Sequence, residues 1–84
     1  MHTFYVLKSK KDNKLYIGST ENFKRRFNEH CLGLVKSTRN RSPLEVVYKE
    51  EWPTKKEAAV RERYFKSGGK AHSILKDLIL KNKA

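Results

Sequence analysis

The chain has one cysteine, Cys31, so an intrachain disulfide is excluded and a reducing compartment is expected. Apolar runs are short. The longest, Phe4 to Leu7 and Leu32 to Val35, cannot span a bilayer, and no basic segment leads into an apolar stretch of signal length. These absences predict a soluble cytoplasmic protein with no membrane partner. Acidic residues are also scarce. Nine Asp and Glu face 20 Lys and Arg, leaving a formal charge of +11. Such an excess in a small chain points to a polyanion, nucleic acid first. With 84 residues, the expectation is a single domain over 1–84, too small for both a large core and a deep pocket. A shallow surface cleft is the kind of site it can hold.

Several site classes lack their motifs. Gly68-Gly69-Lys70 has neither the spacing nor the preceding strand of a phosphate-binding P-loop. His2, His30, Cys31 and His72 do not have zinc-site spacing, and no nucleophilic serine elbow is present.

What is there reads as alternating strands and helices. "TFYVLK" is rich in aromatic and β-branched residues, and both of its alternating sets are partly apolar, which predicts a central strand covered on both faces. "SKKDNK" is a turn with Asp12-Asn13 at its tip, and "KLYIG" is the partner strand. A symmetric turn sets Ser9 opposite Tyr16. The two-residue period then puts Tyr5 and Tyr16 on one face, a parity that survives any even change in loop length.

A helix follows, with Ser19 or Thr20 as its cap and Glu21 near its positive end. Phe23, Phe27, Cys31 and Leu34 recur at helical spacing and are predicted to be its buried stripe, with Arg26 and His30 along one edge. "GLVKSTRNRSP" reads as a basic loop and "LEVVYKE" as a third strand, in which Leu44, Val46 and Tyr48 alternate with Glu45, Val47 and Lys49. "TKKE" is a capping box for a helix running to about Lys66, where Ser67-Gly68-Gly69 stops it. "AHSILKDLILKNK" is a last amphipathic helix. The fold class is therefore α+β: a small, mainly antiparallel three-stranded sheet flanked by helices, in the order β-β-α-β-α-α.

Within the second helix, Ala58, Glu62 and Phe65 share a face. A carboxylate in line with an apolar stripe needs a cationic partner, a hydrogen bond or a metal. Arg61, Arg63 or a lysine could supply the first. Strand tyrosines, likewise, serve packing more often than chemistry.

Taken together, "FYVL", "YIGST", "ENFKRRFNEH" and "TKKEAAVRERYFK" resemble the GIY-YIG nuclease superfamily, from Thr3 to about Lys70. The likeness is greatest to its small one-domain members. The first motif here reads Thr-Phe-Tyr in place of Gly-Ile-Tyr, and a polar residue that some members carry after the glutamate helix has no equivalent near "SGGKAHS". The resemblance implies catalytic roles for Tyr5, Tyr16, Arg26 and His30, and a metal-binding role for Glu62. It implies hydrolysis of phosphodiesters with one divalent cation, Mg²⁺ or Mn²⁺, on DNA ahead of RNA, in branched or damaged structures and DNA repair. In that reading Tyr5 or Tyr16 orients or deprotonates water, His30 shuttles a proton, and Arg26 stabilises charge at phosphorus. Lys8, Lys10, Lys36, Arg39 and Arg41 hold the substrate backbone. A protein partner would supply target choice. The alternatives are a non-catalytic nucleic-acid-binding module and an adaptor within a larger complex.

Overall fold

β1 (His2–Ser9) is the strand on which everything else is laid. It carries apolar side chains to both faces, so it must be covered twice, and it lies centrally: the sheet order is β2-β1-β3, with β2 spanning Leu15–Thr20 and β3 Leu44–Trp52. Both pairings are antiparallel. The computed structural model describes residues 1–82. The helices are α1 (Phe23–Cys31), α2 (Lys55–Lys66) and α3 (Lys70–Asn82); Lys83, with which the sequence pattern ends α3, lies outside the described residues. The element order is the expected β-β-α-β-α-α.

One face of the sheet carries the core. Phe4, Val6 and Val47 meet Phe65 of α2 with Ala71 and Leu75 of α3, and Ile17, Tyr48 and Trp52 pack around them. The opposite face carries Tyr5, Leu7 and Ser9, all buried. Tyr5 packs on Phe23 and His30 of α1, and the Ser9 hydroxyl donates to the Arg41 carbonyl in the segment that follows. α1 and α2 thus cover opposite faces.

The structure departs from the sequence reading in four local ways. Tyr16 pairs with Leu7, not Ser9. The turn is the four residues between Ser9 and Lys14, closed by Ser9 N–H to the Lys14 carbonyl at 3.0 Å, with Asn13 left-handed at φ 62°. The shift is even, so Tyr5 and Tyr16 keep their shared face. β2 continues through Ser19 and Thr20, and α1 is capped instead by Asn22, whose side chain accepts from Arg25 N–H at 3.1 Å.

The predicted stripe of α1 is only half covered: Phe23 and Phe27 are half-buried, stacked on each other, while Cys31 and Leu34 are exposed. The buried residue of the helix is His30. In β3 a bulge between the partners of Val6 and Leu7 breaks the strict alternation. Val47 enters the core and Val46, opposite Leu7, is exposed.

α2 starts as its sequence dictates, with the Thr54 hydroxyl accepting from Glu57 N–H at 3.2 Å. It is then tied to β3 through one carboxylate. Glu50 accepts from Arg61 Nε and Nη2 at 2.8 and 2.5 Å, from Tyr48 Oη at 2.6 Å and from Trp52 Nε1 at 2.9 Å. Burial pushes the Glu50 carboxyl up, but these bonds and the charge of Arg61 outweigh it and hold it below the usual range. Burial, then the bond to Glu50, push the Tyr48 phenol up to about 12. The residue after Arg61 is Glu62, so this network sets where Glu62 sits.

Candidate active site

A cleft of about 570 Å³ runs along the β2 edge of the sheet. Tyr5, Tyr16, Arg26, His30 and Glu62 all line it. They reach it from both faces of the sheet. Tyr5, Tyr16, Arg26 and His30 come from the tyrosine face. Glu62 comes from the other, reaching the cleft beside β2, where the Ser19 hydroxyl donates to its Oε1 at 2.8 Å.

The YIG segment has a steric purpose here. Tyr5 pairs with Gly18, and its ring lies across that glycine: a Cβ at position 18 would sit 2.6 Å from Tyr5 Oη and 2.7 Å from Cζ. The absent side chain lets the phenol reach the sheet edge. There Tyr5 Oη lies 3.1 Å from His30 Nε2, and His30 Nδ1 lies 2.7 Å from Thr38 Oγ1. Both imidazole nitrogens are therefore engaged. Burial, and secondarily the positive charge of Arg26, push the His30 pKa down, so it is neutral at physiological pH. Burial raises the Tyr5 pKa, and the neighbouring Arg26 only partly offsets this. In the free chain Tyr5 is a neutral phenol.

Arg26 is bound to Glu29 at 3.1 Å one turn along the helix. Tyr16 accepts from Arg41 Nε at 3.1 Å, and the same Nε lies 3.3 Å from Asp12 Oδ2. Arg41 is thus held between the hairpin turn and Tyr16. Lys10 is exposed beside it, its N–H bonded to the Pro43 carbonyl, and Lys36 and Arg39 are exposed on the same segment after α1. Lys8 stands apart: the strand alternation sends it to the Phe4 and Val6 face, away from Tyr5.

Some residues at the cleft were not singled out from sequence. Thr38 is fully buried in what reads as a basic loop, and nothing in its spacing marks it. Ser19, which the sequence offers with Thr20 as a cap for α1, is a residue of β2. Lys66 Nζ lies 2.7 Å from Glu62 Oε2, and its i,i+4 offset was the signal available for it. His72, from α3, also lines the cleft.

The GIY-YIG catalytic domain family matches residues 1–74. The chain belongs to the GIY-YIG family. It is 43% identical over 67 residues to a UPF0213 protein of Clostridium perfringens, covering 79% of this chain and 71% of that one. It is 44% identical over 71 residues to a UPF0213 protein of Natronomonas pharaonis, covering 83% and 82%. Among solved structures it resembles the solution NMR structure of the UPF0213 protein BH0048 from Bacillus halodurans, with a TM-score of 0.55 and 32% identity over 88% of this chain and 79% of that one.

Metal chemistry at a GIY-YIG cleft depends on which oxygen donors this one offers. Among the described residues no group of three or more His, Cys, Asp or Glu converges, so there is no all-protein cage. Glu62 is the cleft's carboxylate, with the Ser19 hydroxyl against it. A single carboxylate with a hydroxyl fits a hard cation that keeps most of its water and completes its shell on substrate phosphate, the habit of Mg²⁺. Lys66 holds the second Glu62 oxygen, but its side chain is 54% exposed and can leave. No helix is long and apolar enough to cross a membrane among the described residues.

Proposed function

We propose that this GIY-YIG domain is a divalent-cation-dependent endonuclease acting on phosphodiester bonds of DNA, in branched or damaged structures. The observation that carries the reading is the meeting, in one open cleft, of the Tyr5 phenol, the Arg26 guanidinium and the Glu62 carboxylate from three separate elements. Glu62 would hold Mg²⁺ or Mn²⁺, with Ser19 beside it. The cation supplies positive charge against a phosphate oxygen. Arg26, fixed by Glu29, donates to the charge that develops on phosphorus oxygens. Tyr5 and Tyr16 orient the attacking water. His30, neutral and buried, holds Tyr5 in place. Lys10, Lys36, Arg39 and Arg41, with Lys8 at a distance, grip the phosphate backbone. The resemblance to GIY-YIG nucleases is what supports DNA ahead of RNA. A partner protein supplies target choice, since the basic surface carries no base-reading motif. The lone exposed Cys31 suits a reducing cytoplasm.

A second reading draws on one contact. Lys66 already satisfies Glu62 Oε2, as it would in a non-catalytic nucleic-acid-binding module or adaptor. Nicking assays on branched, nicked and plain duplexes with pure protein and Mg²⁺ or Mn²⁺ separate the two. The nuclease reading requires cleavage that Glu62→Ala removes. Binding with no cleavage of any substrate under either metal selects the module.

A further inference from the structure

The buried hydroxyl of Thr38 lies behind His30, two hydrogen bonds from the Tyr5 phenol. We infer that Thr38 is a positioning residue that locks His30 in the Nε2–H tautomer, so that Tyr5 accepts from His30 and turns its own proton into the cleft.

The argument is one of hydrogen inventory. Neutral imidazole has one donor and one acceptor, and a hydroxyl has one donor and two lone pairs. Thr38 is fully buried, and its hydroxyl has one hydrogen-bond partner among the described residues, His30 Nδ1 at 2.7 Å. Its backbone is committed as well: its N–H donates to the Val35 carbonyl and its carbonyl accepts from Arg41 N–H. If Nδ1 carried the proton, it would donate to Thr38, and the threonine proton would be buried with no acceptor. An unmet buried donor bears its whole desolvation cost, whereas an unused lone pair on a satisfied hydroxyl costs little. Thr38 therefore donates and Nδ1 accepts. The one imidazole proton is left on Nε2, which faces Tyr5 Oη at 3.1 Å.

The consequence falls on Tyr5. With His30 donating to it, the phenol oxygen keeps its own proton for the cleft, where among the described residues no protein acceptor is hydrogen-bonded to it. That proton is presented to a water or a phosphate oxygen entering beside Glu62, and a phenolate left behind would be held by His30. In the opposite tautomer the Tyr5 proton would be tied up on His30. Phosphodiester chemistry for this arrangement rests on the nuclease reading above, but the tautomer does not.

The test is a long-range ¹H–¹⁵N correlation spectrum of the full chain at neutral pH, which distinguishes protonated from bare ring nitrogens. Wild type is expected to show His30 with a bare Nδ1 and a protonated Nε2. Thr38→Val removes the donor at nearly equal volume and is expected to give a mixture of tautomers; Thr38→Ser is expected to restore the single form. A protonated Nδ1 in wild type overturns the inference, as does an unchanged spectrum in folded Thr38→Val. Should the valine variant not fold, the wild-type and serine spectra decide. In cleavage assays Thr38→Val should lower the rate, with recovery in Thr38→Ser. The spectra need no substrate, so a wrong tautomer and a wrong activity are told apart.

Discussion

Adding one methyl group at Gly18 should separate what that glycine does for the strand from what it does for Tyr5. The position has no unusual φ, so alanine is free of backbone strain there. In a strand interior, glycine to alanine stabilises by about 0.5–1 kcal/mol. In this chain the new Cβ meets Tyr5 Cζ at 2.7 Å and Oη at 2.6 Å. The ring cannot swing away cheaply: Tyr5 is 4% exposed, with Phe23 and His30 rings at 5.5 and 5.9 Å. Overpacking of this kind costs about 1–3 kcal/mol. Contacts this short belong to the upper part of that range, about 2–3 kcal/mol, so the net for Gly18→Ala is a loss of about 1–2.5 kcal/mol, or a fall in Tm of about 4–20 °C for a chain of this size. Replacing Tyr5 with leucine empties the space over Gly18, so Gly18→Ala should be stabilising in that background. Thermal denaturation of the four proteins of the cycle measures the coupling directly. Additivity of the two substitutions, or a Gly18→Ala protein as stable as wild type, would refute the claim that this glycine exists to admit the phenol.

Affinity for duplex DNA should fall with salt, with a log–log slope of about −0.9 for each phosphate neutralised; a flat titration would remove the polyanion reading. Arg26→Ala should cost about 10²–10³-fold in cleavage while leaving binding largely intact, and Glu62→Gln should cost at least as much, since a neutral amide holds a hard cation poorly. Normal cleavage by folded Glu62→Gln would dismiss the assigned metal role. Glu50→Gln should lower stability by about 1.5–3 kcal/mol, because the charged acceptor shared by Arg61, Tyr48 and Trp52 is lost. The folded Glu50 pKa is depressed, so its contribution is present above the ordinary glutamate value of 4.5 and lost as pH falls through the folded value. Urea titrations across that range should show a smaller acid loss in Glu50→Gln than in wild type.

Where a local pattern had one solution, it could be read from the residues. The double-sided apolar content of β1 marks it as central, and the capping box at Thr54 places α2. The shared face of Tyr5 and Tyr16 needs only parity, which the longer turn did not disturb. What escaped depends on contacts between distant segments. The α1 stripe was assigned from spacing, but the sheet face beneath is occupied by the Tyr5 ring, so burial goes to His30 and Cys31 is left outside. The bulge in β3 has no marker such as glycine, because it is selected by what Val47 can fill. Helical spacing sets Glu62 in line with Ala58 and Phe65. Its approach around β2 could not be read, since helical spacing does not say which sheet face a helix covers. Thr38 looks like any loop threonine until His30 is set against it.

The double covering of β1 also makes it a poor place for change. Thr3, Phe4, Tyr5, Val6 and Leu7 are buried without interruption. In a saturation scan the strand should appear as one solid block of intolerance, not the every-other-residue rhythm of a strand with a wet face. Stability sets the penalty at Phe4 and Val6, and at Tyr5 the cleft adds its own. Selection for a new substrate could therefore make little use of this strand. The open ground is the exposed run of Lys36, Arg39 and Asn40 after α1, where a residue can alter what the cleft meets without unseating what supports it.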